Sequence, residues 1–343
     1  MGEFSKLMAV SPLVLAIGLS ACAGDGTSIA LTPAPPSTIV PNQTAASITA
    51  PAMAIAPNSA LFPIAKAGEA TIQAHSSTLF PLLESVVSVA PGSVAAGTST
   101  MSEGASMTYS SPGSTYQLDI GDSGPGGIHA QLSPSPSGSG TVFQADLGGG
   151  GTAFLDIVNP ATSNLSWTSY GFWDVHAAAT YTNTAFATGY VTPDSAVPTS
   201  GTAIFRGSVI GEAFHPDASG IDGVDFYQLS GDATLRADFS TASITGDLTN
   251  MITRGFEGDT APWNSVSLTG SIAGARFSGL STVTTVPGNS GSLSGAATGT
   301  FSGMLYGPTA GELGAVWTLY DGTSSAVGSM GATTNPSGSP WKH

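Results

Sequence analysis

Ser265-Val-Ser-Leu-Thr-Gly-Ser-Ile272, followed after two residues by Ala275-Arg-Phe-Ser-Gly-Leu-Ser-Thr-Val283, is the stretch whose reading decides the fold. Val266, Leu268 and then Ile272 alternate with Ser267 and Thr269. That period of two places one face of a strand in a core and the other in water. The break at Ala273-Gly274 is short enough for a hairpin. The same grammar recurs over Leu165–Trp173, Ala185–Thr192, Thr202–Phe214, Leu229–Phe239, Ser243–Leu248, Ser292–Phe301, Gly314–Leu319 and Ala326–Gly331. Regularly spaced strands with turns between them predict an antiparallel barrel or sandwich. Glycines inside the strands, among them Gly231, Gly270, Gly279 and Gly303, suit tight bends at barrel corners.

Upstream, shorter strand candidates stand among Gly and Pro: Ser106–Tyr109, Thr115–Ile120, Gly127–Leu132, Thr141–Leu147 and Thr152–Val158. Turn signals such as Ser111-Pro112-Gly113 separate them. This half reads as a smaller, loop-rich β domain. Leu79–Val89 is the first dense apolar segment, open between a short helix and an edge strand.

Composition agrees with an all-β chain. Charged residues are 8% of the 343, so the Glu- and Lys-rich runs that helices favour are absent. Seven Lys and Arg against 22 Asp and Glu give a formal net charge of −15. Such a surface repels polyphosphate, which excludes nucleic acid as a partner class and favours basic partners.

The single cysteine, Cys22, excludes an intramolecular disulfide. It stands where its chemistry has a use. Lys6, the apolar run Leu7–Leu19 and the small residues Ser20-Ala21 have the layout of a secretory signal. The run is too short to span a bilayer, which needs about 20 apolar residues. Leu19-Ser20-Ala21-Cys22 resembles the lipobox of bacterial lipoproteins, which implies cleavage before Cys22 and acylation of its thiol. Ala23 at the following position implies the outer membrane as destination. From Ala23 to about residue 60 the chain is rich in Pro, Ala, Ser and Thr, with few large apolar residues, and reads as a disordered tether.

The second half also resembles a known family. Gly189-Tyr-Val-Thr-Pro193, Pro198-Thr-Ser-Gly-Thr-Ala203, Gly231-Asp-Ala-Thr-Leu-Arg-Ala-Asp-Phe239 and Ser243-Ile-Thr-Gly-Asp-Leu248 occur in the order seen in the barrel of the transferrin-binding protein B family. Gly303-Met-Leu-Tyr-Gly-Pro308 and Gly311-Glu-Leu-Gly-Ala-Val-Trp317 close the series. The resemblance implies a surface lipoprotein with a handle-like β domain followed by an eight-stranded antiparallel β-barrel. It divides the chain into a signal peptide (1–21), lipid anchor and tether (22–78), handle (79–164), barrel (165–332) and tail (333–343). It further implies a binding module, not an enzyme, for a host or environmental ligand, with iron or haem acquisition as one use and a host iron or haem protein and a TonB-dependent receptor as partners in that case. The length suffices for one lobe only, which leaves haem itself as a competing ligand. Phe301, Tyr306 and Trp317 are expected to fill the barrel, Gly307-Pro308 to turn the chain, and Glu312 to sit by the last hairpin. The alternative class is a structural or adhesive envelope protein on the same scaffold, with no small-molecule ligand.

Candidate chemistry is sparse. A haem would need an axial ligand, and His129, beside the Gly124–Gly127 turn, and His176, near Trp173, are the candidates. The five histidines show no metal-ligand spacing, so no metal site is expected. Asp217, Asp222 and Asp225 could offer oxygens to a cation but lack the spacing of a calcium loop and read as a solvated hairpin. Gly121-Asp-Ser-Gly-Pro125 superficially matches a protease nucleophile loop. Without a suitably placed His and Asp, Ser123 is a turn residue. Gly148–Gly151 lacks the Lys of a phosphate loop and reads as a hairpin.

Overall fold

The computed structural model describes residues 72–334, apart from 76–82, 91–92, 102–104, 111–114, 121–127, 136–141, 159–162, 178–179, 222 and 256–258. The expected signal peptide, Cys22, most of the expected tether, Ser123, Asp222 and residues 335–343 lie outside the described residues. Twenty strands are defined within them, arranged in two antiparallel sheets.

The first sheet holds β1 (Ile72–His75), β2 (Leu83–Ala90), β3 (Ser93–Val94), β4 (Thr98–Met101), β5 (Ala105–Ser110), β6 (Thr115–Ile120), β7 (Ile128–Pro134), β8 (Val142–Gly148), β9 (Gly151–Ile157), β10 (Thr168–Ala177) and β11 (Thr180–Gly189). Its order is β1-β5-β6-β7-β8-β9-β10-β11-β2-β3, with β4 also paired to β2. Three sequence expectations change here. Ile72–His75, assigned to the tether, pairs with β5. The segment Leu79–Val89 contributes β2, an internal strand between β11 and β3 or β4, and not an edge. The strands read at Leu165–Trp173 and Ala185–Thr192 belong to this sheet and not to the barrel, because β10 pairs with both β9 and β11.

The second sheet holds β12 (Thr202–Ile221), β13 (Val224–Asp238), β14 (Ser243–Arg254), β15 (Thr260–Pro262), β16 (Val266–Ala273), β17 (Arg276–Val283), β18 (Thr298–Tyr306), β19 (Glu312–Tyr320) and β20 (Ser325–Thr333). Each long strand pairs with the next, β12 pairs with β20, and β13 with β14, so eight strands close into a ring with β15 appended to β14. Period-two alternation fills the interior with Phe205, Val209, Leu235, Ile244, Leu268, Phe277, Phe301 and Trp317. Gly303 makes room there: a Cβ would stand 2.0 Å from the Phe277 ring. One irregularity resets the alternation. The β13–β14 register slips between Ser230 and Asp232 opposite Asn250, whose φ is 53°. This bulge turns both Leu248 and Met251 inward.

The two sheets pack together, which explains the burial of both faces of β19 and β20. Leu165, Tyr170, Ala187, Met304, Tyr306 and Val316 form one apolar seam, and Val94, Phe214, Val224 and Val327 a second. Tyr306 is thus a seam residue and not barrel filling. Phe301 and Leu305 point inward, so the strand's alternation sends Tyr306 out against the handle. Gly331 permits the close approach, since a Cβ would lie 2.5 Å from Leu165 and 2.6 Å from the Tyr170 ring. Polar contacts fix the register. The Tyr170 and Ser208 hydroxyls are 2.5 Å apart, and Ser329 Oγ donates to the Gly171 carbonyl at 3.1 Å. Glu312 accepts from the backbone N–H groups of Ser166 at 2.6 Å and Trp167 at 2.9 Å. Burial pushes the Glu312 carboxyl above its ordinary range, and these donors only partly offset the shift.

Trp317 contacts Trp263 at a ring-centroid distance of 6.1 Å and is 0% exposed. Trp317→Ala is expected to cost about 3–5 kcal/mol of stability in urea unfolding at neutral pH.

Candidate ligand-binding rim

The β12–β13 hairpin runs 20 residues out and 15 back, well beyond the eight- and nine-residue strands β16–β20. Its excess length projects past one end of the barrel, where the 284–297 connection between β17 and β18 meets it. His215 and Tyr227 stand on the hairpin with their rings 5.7 Å apart, edge to face. His215 Nε2 donates to the Gly291 carbonyl at 3.0 Å, which fixes the Nε2–H tautomer. The Trp263 indole N–H donates to the same carbonyl at 2.7 Å. Tyr227 Oη and Ser290 Oγ lie 3.3 Å apart.

Asn264 organises the long connection from below. Its Nδ2 donates to the Thr285 and Leu293 carbonyls, each at 2.9 Å, and its Oδ1 accepts from Leu293 N–H at 2.8 Å. Asn289 Nδ2 donates to the Pro262 carbonyl at 2.6 Å. Asp321, in the β19–β20 turn, accepts from the N–H of Ser294 at 3.0 Å and of Ser324 at 2.8 Å. Four connections of the barrel are therefore bonded into one rim.

Asp217 and Asp259 are exposed on this rim, and Asp225 and Asp321 are half-buried. Partial burial alone would raise the Asp321 carboxyl, but the backbone donors of Ser294, Ser324 and Thr323 hold it below its ordinary range. Burial lowers the His215 pKa, outweighing its bond to Gly291 and the nearby Asp321 and Asp225 carboxylates. At neutral pH the rim thus presents fixed negative charge around a neutral histidine.

The hairpin reading of Asp217 and Asp225 agrees with the structure: Asp217 N–H donates to Gly223 O at 2.9 Å, and Asp225 pairs with His215. Among the described residues no cluster of acids and histidines is arranged to hold a metal ion. Gly148–Gly151 is the β8–β9 turn, with φ of 77°, 61° and 85° at Gly148, Gly149 and Gly150. His129 lies in β7 opposite Asp119, while His176 lies in β10, with β8 and β9 between their strands. The two are not brought together. The His176 ring packs 4.4 Å from Tyr181 and 6.2 Å from Phe154. A cavity of about 180 Å³ against the barrel wall, lined by Leu83, Arg276, Met304 and neighbours, touches neither histidine.

Sequence reasoning passed over His215, Tyr227, Trp263 and Asn264. The available signal was the length of the apolar alternation on either side of Asp217–Gly223, which exceeds what an eight-stranded ring needs.

Residues 197–334 match the family model described as the C-lobe and N-lobe beta barrels of Tf-binding protein B. The barrel is thus similar to the barrels of the transferrin-binding protein B family. No curated protein matches the chain. Similar solved structures include transferrin binding protein B from serogroup B Neisseria meningitidis, at 21% identity and a TM-score of 0.42, covering 76% of this chain and 44% of that one. The N-lobe domain of lactoferrin binding protein B of Moraxella bovis is 13% identical with a TM-score of 0.34, covering 54% and 80%. HpuA from Kingella denitrificans, solved in complex with human haemoglobin, is 16% identical with a TM-score of 0.36, covering 80% and 96%. The chain spans less than half the length of the Neisseria protein.

Asn264→Ala should leave Leu293 N–H and two carbonyls without their partners. It is expected to cost about 1–3 kcal/mol and to speed amide exchange across 284–297, read by hydrogen–deuterium exchange.

Proposed function

We propose that this chain is a non-enzymatic surface lipoprotein, held at the outer membrane through acylated Cys22, that captures a host iron-carrying protein on the rim. The observation that carries this reading is the filled barrel. Trp263, Leu293 and Ala297 belong to the same buried cluster as Phe205, Phe301 and Trp317, so the interior is packed up to the rim. A packed interior takes in no small molecule, and recognition falls to the exposed loops that the frame holds still. Their carboxylates suit a basic partner surface and would speed encounter with it.

The family model matched by the barrel supports transferrin as a ligand. Haemoglobin and lactoferrin are the competing ligands. After capture, a TonB-dependent receptor in the same membrane would take over the iron or haem.

Cells displaying the full chain are expected to retain at least one of labelled transferrin, lactoferrin or haemoglobin. Replacing 217–223 by a two-residue turn should abolish retention at unchanged surface display. Failure to retain any of the three overturns the iron-protein reading. Cys22→Ala should move the protein out of the membrane fraction, and unchanged fractionation overturns the anchor.

A further inference from the structure

Between the two seams lies a polar cluster that the binding reading does not use. Glu212, in β12, has its side chain on the outer wall of the barrel, facing the handle, and is 6% exposed. Asn183, in β11, is fully buried, and its Nδ2 donates to Glu212 Oε2 at 2.7 Å and to Asp174 Oδ1 at 2.6 Å. Tyr181 Oη donates to Glu212 Oε2 at 3.1 Å. One amide and one phenol thus bridge two carboxyl groups across the handle–barrel seam.

We propose that docking of the handle on the barrel is coupled to a proton on Glu212, so that the seam tightens as the medium becomes acidic and loosens as it becomes alkaline.

Among the described residues no cation is hydrogen-bonded to the cluster or offsets its charge. From β10 come Asp174 and His176, from β11 Tyr181 and Asn183, and from β9 Asp156 adds a third carboxylate. From β20, Val327 stands directly opposite Glu212, and from β13 Gln228 does so on the other side; the exposed Arg254 of β14 lies opposite Gln228, about 10 Å from Glu212 across two strand spacings. On Glu212's own strand, Ile210 and Phe214 flank it on the same face. Arg206 shares that face but lies about 20 Å along the strand at ~3.4 Å per residue. The three lysines, Lys6, Lys66 and Lys342, lie outside the described residues. Burial lowers the His176 pKa, so this ring is neutral at neutral pH. Burial, then repulsion from Asp174 and Asp156, pushes the Glu212 carboxyl well above its ordinary range, against the lowering effect of Tyr181. Burial likewise raises Asp174.

The sign follows from linkage. A carboxyl whose pKa is raised by folding binds more protons in the folded state than in the unfolded one across the interval between the two values. Stability is therefore greatest at or below the unfolded value, 4.5 for Glu, and falls as pH rises through neutrality. Like charges at this spacing cannot both ionise cheaply without a cation.

The test compares the full chain with Glu212→Gln, which keeps the shape and removes the proton equilibrium. In the wild type the thermal midpoint should fall from pH 5 to pH 8, and protease cleavage within 193–201, the segment joining the two sheets, should rise in parallel. In Glu212→Gln most of both changes should disappear, with a higher midpoint than wild type at pH 8. Equal pH slopes in the two proteins overturn the proposal. A wild-type measurement stands independently of how the variant folds. With ¹³C-labelled glutamate, one carboxyl resonance should remain at its protonated position at pH 7. If every glutamate carboxyl titrates in the ordinary range, the proposal fails.

Discussion

The structure depends on a demand placed on two strands. β19 and β20 must be buried on both faces, with the barrel core on one side and the handle on the other. A ring strand normally satisfies that demand on its inner face only, leaving the outer face polar. Here the outer face has to accept another sheet. Sheets pack face to face at about 10 Å between their planes, and anything closer requires small residues at the points of contact. Gly331 and Gly314 occupy such points, and the rings of Tyr170 and Tyr306 take the space their missing side chains leave.

The seam is nonetheless not a purely apolar joint. Ser208, Glu212, Ser325 and Ser329 all lie on the docked wall, and each finds a partner in the handle: Tyr170, Asn183, the Ala95 carbonyl and the Gly171 carbonyl. An apolar seam would tolerate sliding by one pleat, because apolar contact is non-directional. Buried hydroxyls and carboxyls do not, since a shift would leave each without a partner at about 1–3 kcal/mol apiece. The apolar clusters supply most of the attraction, and the polar pairs select one register.

The period of two made the eight ring strands legible, because burial on one face leaves a clean trace in the sequence. Its failure at β10 and β11 is instructive. Tyr170 and Phe172 lie on one face of β10, while Trp173 and Val175 lie on the other, so large residues occupy both parities. A ring strand with a wet outer wall would not show that. It marks a strand covered on both sides, as β19 and β20 also are, and pairing with β9 and β11 then places β10 in the first sheet. Tyr306 follows the same logic, since one step from Leu305 places it outside the ring whatever its size. The rim and the seam cluster were illegible for a different reason. The bonds of Asn183 to Glu212 and of Asn264 to Leu293 each join residues 29 apart in sequence, and no local pattern reports such a pairing.

The same packing divides the labour of the molecule. Four of the ring strands, β18, β19, β20 and β12, have their outer walls occupied by the handle. The interior is closed by Trp263 and Trp317, and the remaining walls carry a Ser- and Thr-rich face with few large apolar residues exposed, such as Leu280. Strands so constrained cannot change without unsettling core or seam. The connections at the rim bear no such double load: the exposed residues 284–288 pack against nothing on their outer side, yet Asn264, Asn289 and Asp321 hold the ends of their loop. Recognition is best placed where side chains are free to vary and the backbone is not. The rim meets both conditions, and it does so because the anchoring bonds run to backbone carbonyls and N–H groups, whose positions survive any change of the side chains above them.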